Sequence, residues 1–124
     1  AFTCSGGEIV SIENCTVTHN QSERGAFALD SHLTADVIDC VFSENHATVF
    51  GGGGLVGNTN ANFENCSFVN NTCTGDVGGG LFIFQNNDEG VDDVAVQLSG
   101  CSFVGNSAPR AGGGSWGRLH RLRG

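Results

Sequence analysis

Apolar and polar residues alternate along this chain in short stretches, and the stretches return at a nearly fixed spacing. Four cysteines serve as rulers: Cys15, Cys40, Cys66 and Cys101. Five positions before each stand Val10, Ala35, Ala61 and Val96, and three positions before stand Ile12, Val37, Phe63 and Leu98. Side chains in a strand alternate with period two, so these two sets share one face. The cysteines and the residues two after them, Val17, Phe42, Phe68 and Phe103, also share a face, but with the opposite parity. A straight strand would put one set in water, so the pattern predicts a bend between them. The residues at the bend are Asn14, Asp39, Asn65 and Gly100, the types that enter a left-handed backbone conformation at least cost.

An asparagine follows five residues after each cysteine (Asn20, Asn45, Asn71, Asn106) and predicts a second corner. A third short strand is expected after it, Gly54-Leu55-Val56 in one unit and Gly80-Leu81-Phe82-Ile83-Phe84 in the next. The first unit offers Gly25-Ala26-Phe27-Ala28-Leu29 for this strand. The cysteines are 25, 26 and 35 residues apart, so the last unit carries an insertion, placed near residues 85–93. Three short strands and three corners per roughly 25 residues describe one coil of a parallel β-helix. Successive coils would lie ~4.8 Å apart and pile equivalent residues into columns of thiol, phenylalanine and asparagine. The corner amides would form a ladder from coil to coil. No coil could form alone, because each buries its face only against its neighbours. The expected architecture is all-β, a solenoid of about four coils within a single domain over 1–114, with an atypical Arg-rich tail at 115–124.

Glycine runs at 51–54, 78–80 and 112–114 share the period. A phosphate-cradling loop would need a following lysine and a helix. The chain has no lysine, so tight corners between closely approaching coils are expected. The tandem motifs Phe42-Ser43-Glu44-Asn45, Phe68-Val69-Asn70-Asn71 and Phe103-Val104-Gly105-Asn106 alternate with Gly53-Gly54-Leu55-Val56 and Gly79-Gly80-Leu81-Phe82. Over roughly residues 8–114 the chain resembles the repeats of the polymorphic outer-membrane-protein family. That family consists of surface adhesins with a right-handed, pectin-lyase-like parallel β-helix passenger. The resemblance implies an exported, surface-associated β-helix. The chain departs from the family in having leucine where alanine usually follows the glycine pair.

Charge narrows the partners. Of 124 residues 13 are acidic, and all of them lie in residues 1–109 beside a single arginine, Arg24. The other arginines, Arg110, Arg118, Arg121 and Arg123, follow. An acidic body argues against nucleic-acid phosphates and anionic lipid as partners, and the basic tail is expected to be a solvated end. No apolar run approaches the ~18 residues of a membrane span. The chain opens on Ala1 with no visible signal peptide, as expected for a segment or a trimmed mature product. Six cysteines suit an oxidising, extracellular or cell-surface setting.

Candidate chemistry is sparse. The column of cysteines can be read as disulfides, although parallel side chains leave the Cβ atoms too far apart for an unstrained bridge. It can equally be read as a ladder of buried free thiols. Cys4 and Cys73 lie outside it, and without a Cys-x-x-Cys no zinc site is expected. The acidic insertion holds the one candidate metal site, Asp88, Glu89, Asp92 and Asp93, whose oxygens suit Ca²⁺, against the alternative of a solvated loop. For glycoside chemistry, Asp36 or Asp39 would have to face Asn62 or Glu64 across adjacent coils. His19, His32, His46 and His120 occupy non-equivalent positions and form no readable triad. Sequons begin at Asn14, Asn20, Asn65 and Asn70, of which only Asn70 has no expected structural task.

The expected function is a structural and adhesive one, binding a glycan or a surface protein, with end-to-end self-association through the open strands of the terminal coils. No catalytic residue, cofactor or nucleic-acid partner is expected. The alternative is a polysaccharide lyase, hydrolase or epimerase on the same fold. Ice or mineral binding is set aside, because the threonines do not keep one phase.

Overall fold

The computed structural model describes residues 2–5, 9–30, 34–75, 78–84, 96–109, 115–118 and 122–123, with 2–5, 115–118 and 122–123 described by their backbone alone. Every regular element among the described residues is a strand. In chain order a first set comprises β1 (Phe2–Ser5), β2 (Ile9–Glu13), β3 (Thr16–Thr18) and β4 (Gln21–Ser22). A second comprises β5 (Phe27–Asp30), β6 (Thr34–Ile38), β7 (Val41–Ser43) and β8 (His46–Ala47). A third comprises β9 (Leu55–Gly57), β10 (Asn60–Glu64), β11 (Ser67–Val69) and β12 (Thr72–Cys73). Then follow β13 (Leu81–Phe84), β14 (Val96–Ser99), β15 (Ser102–Val104), β16 (Ser115–Arg118) and β17 (Leu122–Arg123). No helix among the described residues is long and apolar enough to cross a membrane.

The strands form four sheets, ordered β1-β5-β9-β13-β16, β17-β14-β10-β6-β2, β15-β11-β7-β3 and β12-β8-β4. All pairings are parallel, and each joins equivalent positions of successive units. Val10 pairs with Ala35, Ala35 with Ala61 and Ala61 with Val96. Ile12, Val37, Phe63 and Leu98 are matched in the same way. The columns expected from the cysteine count are therefore the pairing register of the structure. The eleven residues between β13 and β14 replace two or three at the equivalent connections before β10 and β6. The chain thus re-enters in register after its insertion. The tail does not break away: β16 pairs with β13, and β17 pairs with β14.

Two features differ from the sequence reading. The first is a fourth sheet, built from the two residues after each ladder asparagine, where three strands per unit are expected. These dipeptides carry no apolar period, so only their backbone pairing reveals them. The second is the corner before the asparagine. Asn14, Asp39, Asn65 and Gly100 are left-handed, as expected, with φ of 54°, 55°, 53° and 64°. At the next corner, however, the left-handed residues are His19, Glu44, Asn70 and Gly105, one position ahead of the asparagine. The preceding residue takes the turn so that the asparagine amide can point inward. Asn70 therefore does have a structural task.

The inward amides form a continuous ladder. Asn45 Oδ1 accepts from Asn20 N–H at 3.0 Å and from Asn20 Nδ2 at 3.1 Å. Asn71 Oδ1 accepts from Asn45 in the same two ways, both at 3.0 Å, and Asn106 Oδ1 from Asn71 at 2.9 and 3.0 Å. Each Nδ2 also donates backward: Asn45 to Val17 O, Asn71 to Phe42 O and Asn106 to Phe68 O. Asn45 and Asn71 have no exposed surface, so the bonds between them replace water that cannot reach them, while Asn20 and Asn106 at the two ends are half-buried.

Beside the ladder runs the aromatic column. Phe42 lies 5.1 Å from Phe68, and Phe68 lies 4.7 Å from Phe103 with ring planes 5° apart. Phe27 and Phe63 close on this stack from the other sheets. Burial of each such ring contributes about 1.5–3 kcal/mol. The glycine corner is tight: a Cβ on Gly54 would come within 2.3 Å of the Phe27 ring. Gly25, Gly51 and Gly78 hold the left-handed turns before the strands of this sheet.

Replacing Asn45 with alanine removes the Oδ1 acceptor of the Asn20 N–H and Nδ2 and the Nδ2 bonds to Val17 O and Asn71 Oδ1, leaving Asn71 Oδ1 with the backbone N–H of residue 45 alone. We expect a loss of about 3 kcal/mol in urea denaturation. Phe68→Ala should cost about 3–5 kcal/mol. Asn14→Gly, at an exposed left-handed corner, should stay within about 0.5 kcal/mol of the parent.

Candidate ligand-binding faces

The predicted site residues fall into two groups, those that build the interior and those on the outer faces. The thiol column belongs to the interior. Cys15, Cys40, Cys66 and Cys101 are free thiols, as is Cys73. Cys40 donates to Ile38 O at 3.3 Å and to Ile12 O of the preceding unit at 3.6 Å. Cys66 repeats this with Glu64 O at 3.4 Å and Val37 O at 3.3 Å, and Cys101 with Ser99 O and Phe63 O. Each thiol thus ties the first corner of its unit to the one before. Cys15 heads the column, is exposed, and donates to Glu13 O. Burial pushes the Cys40 thiol up. Burial, with the neighbouring thiols Cys101 and Cys40, pushes Cys66 up to about 12. Cys40 and Cys66 are thereby packing groups with little thiolate character.

The register also settles the carboxylates. Asp36 sits between Ser11 and Asn62, and Glu64 between Ile38 and Ser99. Neither has a second carboxylate beside it in its column, as an acid–base pair would need. Asp39 occupies the left-handed corner. On the outer face of the β2-β6-β10-β14 sheet, Thr34, Asp36, Asn60, Asn62 and Gln97, with Ala35 and Ala61, line a shallow groove of about 200 Å³.

The histidines that are described have partners of their own. His19 Nε2 lies 2.6 Å from Glu44 Oε2, with both side chains largely exposed, and its Nδ1 lies 2.9 Å from Thr18 Oγ1. His46 Nδ1 meets Thr72 Oγ1 at 2.7 Å, and Nε2 meets Thr74 Oγ1 at 3.4 Å. His32 and His120 lie outside the described residues, as do Asp88, Glu89, Asp92 and Asp93. Among the described residues no three His, Cys, Asp or Glu side chains gather to hold a metal ion.

A feature the sequence reading passed over lies outside the β5-β9-β13 sheet. Leu29, Val56, Leu81 and Ile83 point into the core. Their neighbours Ala28, Leu55 and Phe82 pack on the opposite face as a second apolar cluster, joined by Phe50 and Phe84. Phe50 stacks on Phe82 at 4.8 Å with planes 13° apart, and Phe84 lies 5.8 Å from Phe82. With Arg24, Asp30 and Leu55 these rings line a groove of about 240 Å³. A signal was available: in the unbroken run Leu-Phe-Ile-Phe at 81–84, alternation can bury only every second side chain in one core.

Two outcomes follow for the thiols. Alkylation of the folded chain at pH 8 should modify Cys15 and spare Cys40 and Cys66 until denaturant is added, as read by peptide mass spectrometry. Above the ordinary thiol value of 9.0 the unfolded chain releases the Cys66 proton while the folded chain keeps it. The stability this thiol contributes is therefore full below pH 9 and is lost as pH rises from 9 toward 12. Urea midpoints should fall over that range, and Cys66→Ala should remove part of the fall.

Comparison with protein-family models, with curated proteins and with solved structures returned no match to this chain.

Proposed function

We propose that this chain is a segment of a right-handed parallel β-helix of about four coils, secreted or displayed at a cell surface, with a structural and adhesive role toward a glycan or a surface protein. The observation that carries this reading is the division of labour between interior and exterior. The recurring asparagines, thiols and phenylalanines hydrogen-bond or pack with their counterparts in the next unit. The outer faces carry the grooves. Resemblance of the Phe-x-x-Asn and Gly-Gly-x-[Ile/Leu/Val] motifs to polymorphic outer-membrane-protein repeats supports the surface location. Among the described residues the outermost strands of the sheets are β1, β2, β3 and β4 on one side and β16, β17, β15 and β12 on the other, and where such edges are open at the end of a solenoid they suit end-to-end self-association.

A second reading, a carbohydrate-active enzyme, draws on the groove around Asp36, Asn62 and Gln97, with Ca²⁺ held by the acidic insertion at Asp88, Glu89, Asp92 and Asp93.

Incubation with neutral and acidic polysaccharides, with and without Ca²⁺, separates the two. Retention of the chain on immobilised glycans or cell-surface protein without release of shortened or unsaturated sugars is expected for an adhesin. Turnover would favour the enzyme, and neither retention nor turnover would remove both. In sedimentation velocity the coefficient should rise with protein concentration if the ends associate; a constant value would exclude that contact.

A further inference from the structure

We infer that the groove bounded by Phe50, Phe82 and Phe84 is a carbohydrate subsite that takes one uncharged pyranose ring. This deepens the adhesive reading and rests on it for its biological sense, though not for its geometry.

The outer face of a sheet whose other face is core is ordinarily polar. Here the outer column runs Ala28, Leu55, Phe82, and the next runs Asp30, Gly57, Phe84. Phe50 arrives from the loop after β8 and lays its ring nearly parallel to that of Phe82. The platform is held in place from below. A Cβ on Gly57 would come within 2.3 Å of the Phe84 ring, so the ring rests directly over the glycine backbone. Phe82 is almost fully buried, while Phe50 and Phe84 keep part of their surface open to the groove. Rigid aromatic faces open to solvent suit the C–H face of a pyranose, which is apolar on one side and rich in hydroxyls at its edge.

The rim supplies the complementary polar groups. Arg24 offers guanidinium donors, and Asp30 offers carboxylate acceptors. Sugar hydroxyls both donate and accept, so they match this pairing. The two rim charges cancel, and Arg24 is the single Lys or Arg within residues 1–109 against 13 acids. The long-range field of that acidic body disfavours anionic sugars and favours an uncharged ring, against the local charge of Arg118 at the register position beside Phe84. At about 240 Å³ the groove falls below the ~300 Å³ at which pockets for drug-sized ligands begin. It therefore holds one ring of a longer chain. The pairing of β13 with β16 places Trp116, the sole tryptophan, at the register position beside Phe82, and Arg118 beside Phe84.

The test titrates the full chain with methyl glycosides of glucose, galactose, mannose and N-acetylglucosamine, and with methyl glucuronide as the anionic probe. Saturation-transfer NMR and titration calorimetry report binding. At least one neutral glycoside should show transfer concentrated on one ring face and should bind at least tenfold more tightly than the glucuronide. Phe84→Leu keeps the bulk and removes the aromatic face; it should weaken binding tenfold or more with an unchanged circular-dichroism spectrum. Phe50→Ala should do the same, and Arg24→Gln should weaken it severalfold. Absence of transfer from every neutral glycoside, unaltered binding by Phe84→Leu, or tighter binding of the glucuronide would each overturn the assignment. If no glycoside binds the groove but the chain still adheres to immobilised glycan or protein, the subsite fails and adhesion stands. If the groove binds methyl glycosides but the chain adheres to no surface, the subsite stands and adhesion fails.

Discussion

Parallel strands that pair in register force each position of one unit to lie beside the same position in the next. That constraint makes the asparagine ladder both available and necessary. A buried corner amide exposes two donors and an acceptor to a space water cannot enter. Only another amide one strand spacing away offers the matching set. Because Asn20, Asn45, Asn71 and Asn106 meet it in turn, the corner can turn its polar groups inward at little cost. The backbone carbonyls of Val17, Phe42 and Phe68 are satisfied by the same amides. The carbonyls that carry the phenylalanine column are thus tied to the ladder, and the two columns stand or fall together.

Positions whose side chains face the interior repeat in residue type, and they could be read from the sequence. The cysteine ruler placed Val10, Ala35, Ala61 and Val96 in one column before any coordinates, and it located the left-handed corner at Asn14, Asp39, Asn65 and Gly100. Backbone-only features could not be read. Gln21–Ser22, His46–Ala47 and Thr72–Cys73 pair as strands, yet their side chains share no property that a period would reveal. The left-handed conformations of His19 and Glu44 were hidden for a related reason. Neither residue type prefers that region, and they accept it because the following amide must face inward.

The aromatic groove was missed on different grounds. Phe82 and Phe84 looked like core residues because they sit beside Leu81 and Ile83, and hydrophobicity alone does not say which side of a sheet a residue takes. Parity does. Once Leu81 and Ile83 are assigned to the interior, the two phenylalanines must lie on the other face, where Phe82 is buried beneath Phe50 and Phe84 rests over Gly57. Cys40 and Cys66 illustrate the converse: they are absorbed by the packing, and burial raises both.

The connection between Phe84 and Val96 lengthens from two or three residues to eleven while the pairing of Val96 with Ala61 is kept. Length at this one joint is decoupled from the geometry on either side of it. New sequence can be spliced in there without disturbing the interior, and whatever is spliced in emerges next to Phe84. The architecture thus has a natural grafting point, at which evolution or an engineer can change what the surface presents without altering the rest of the stack.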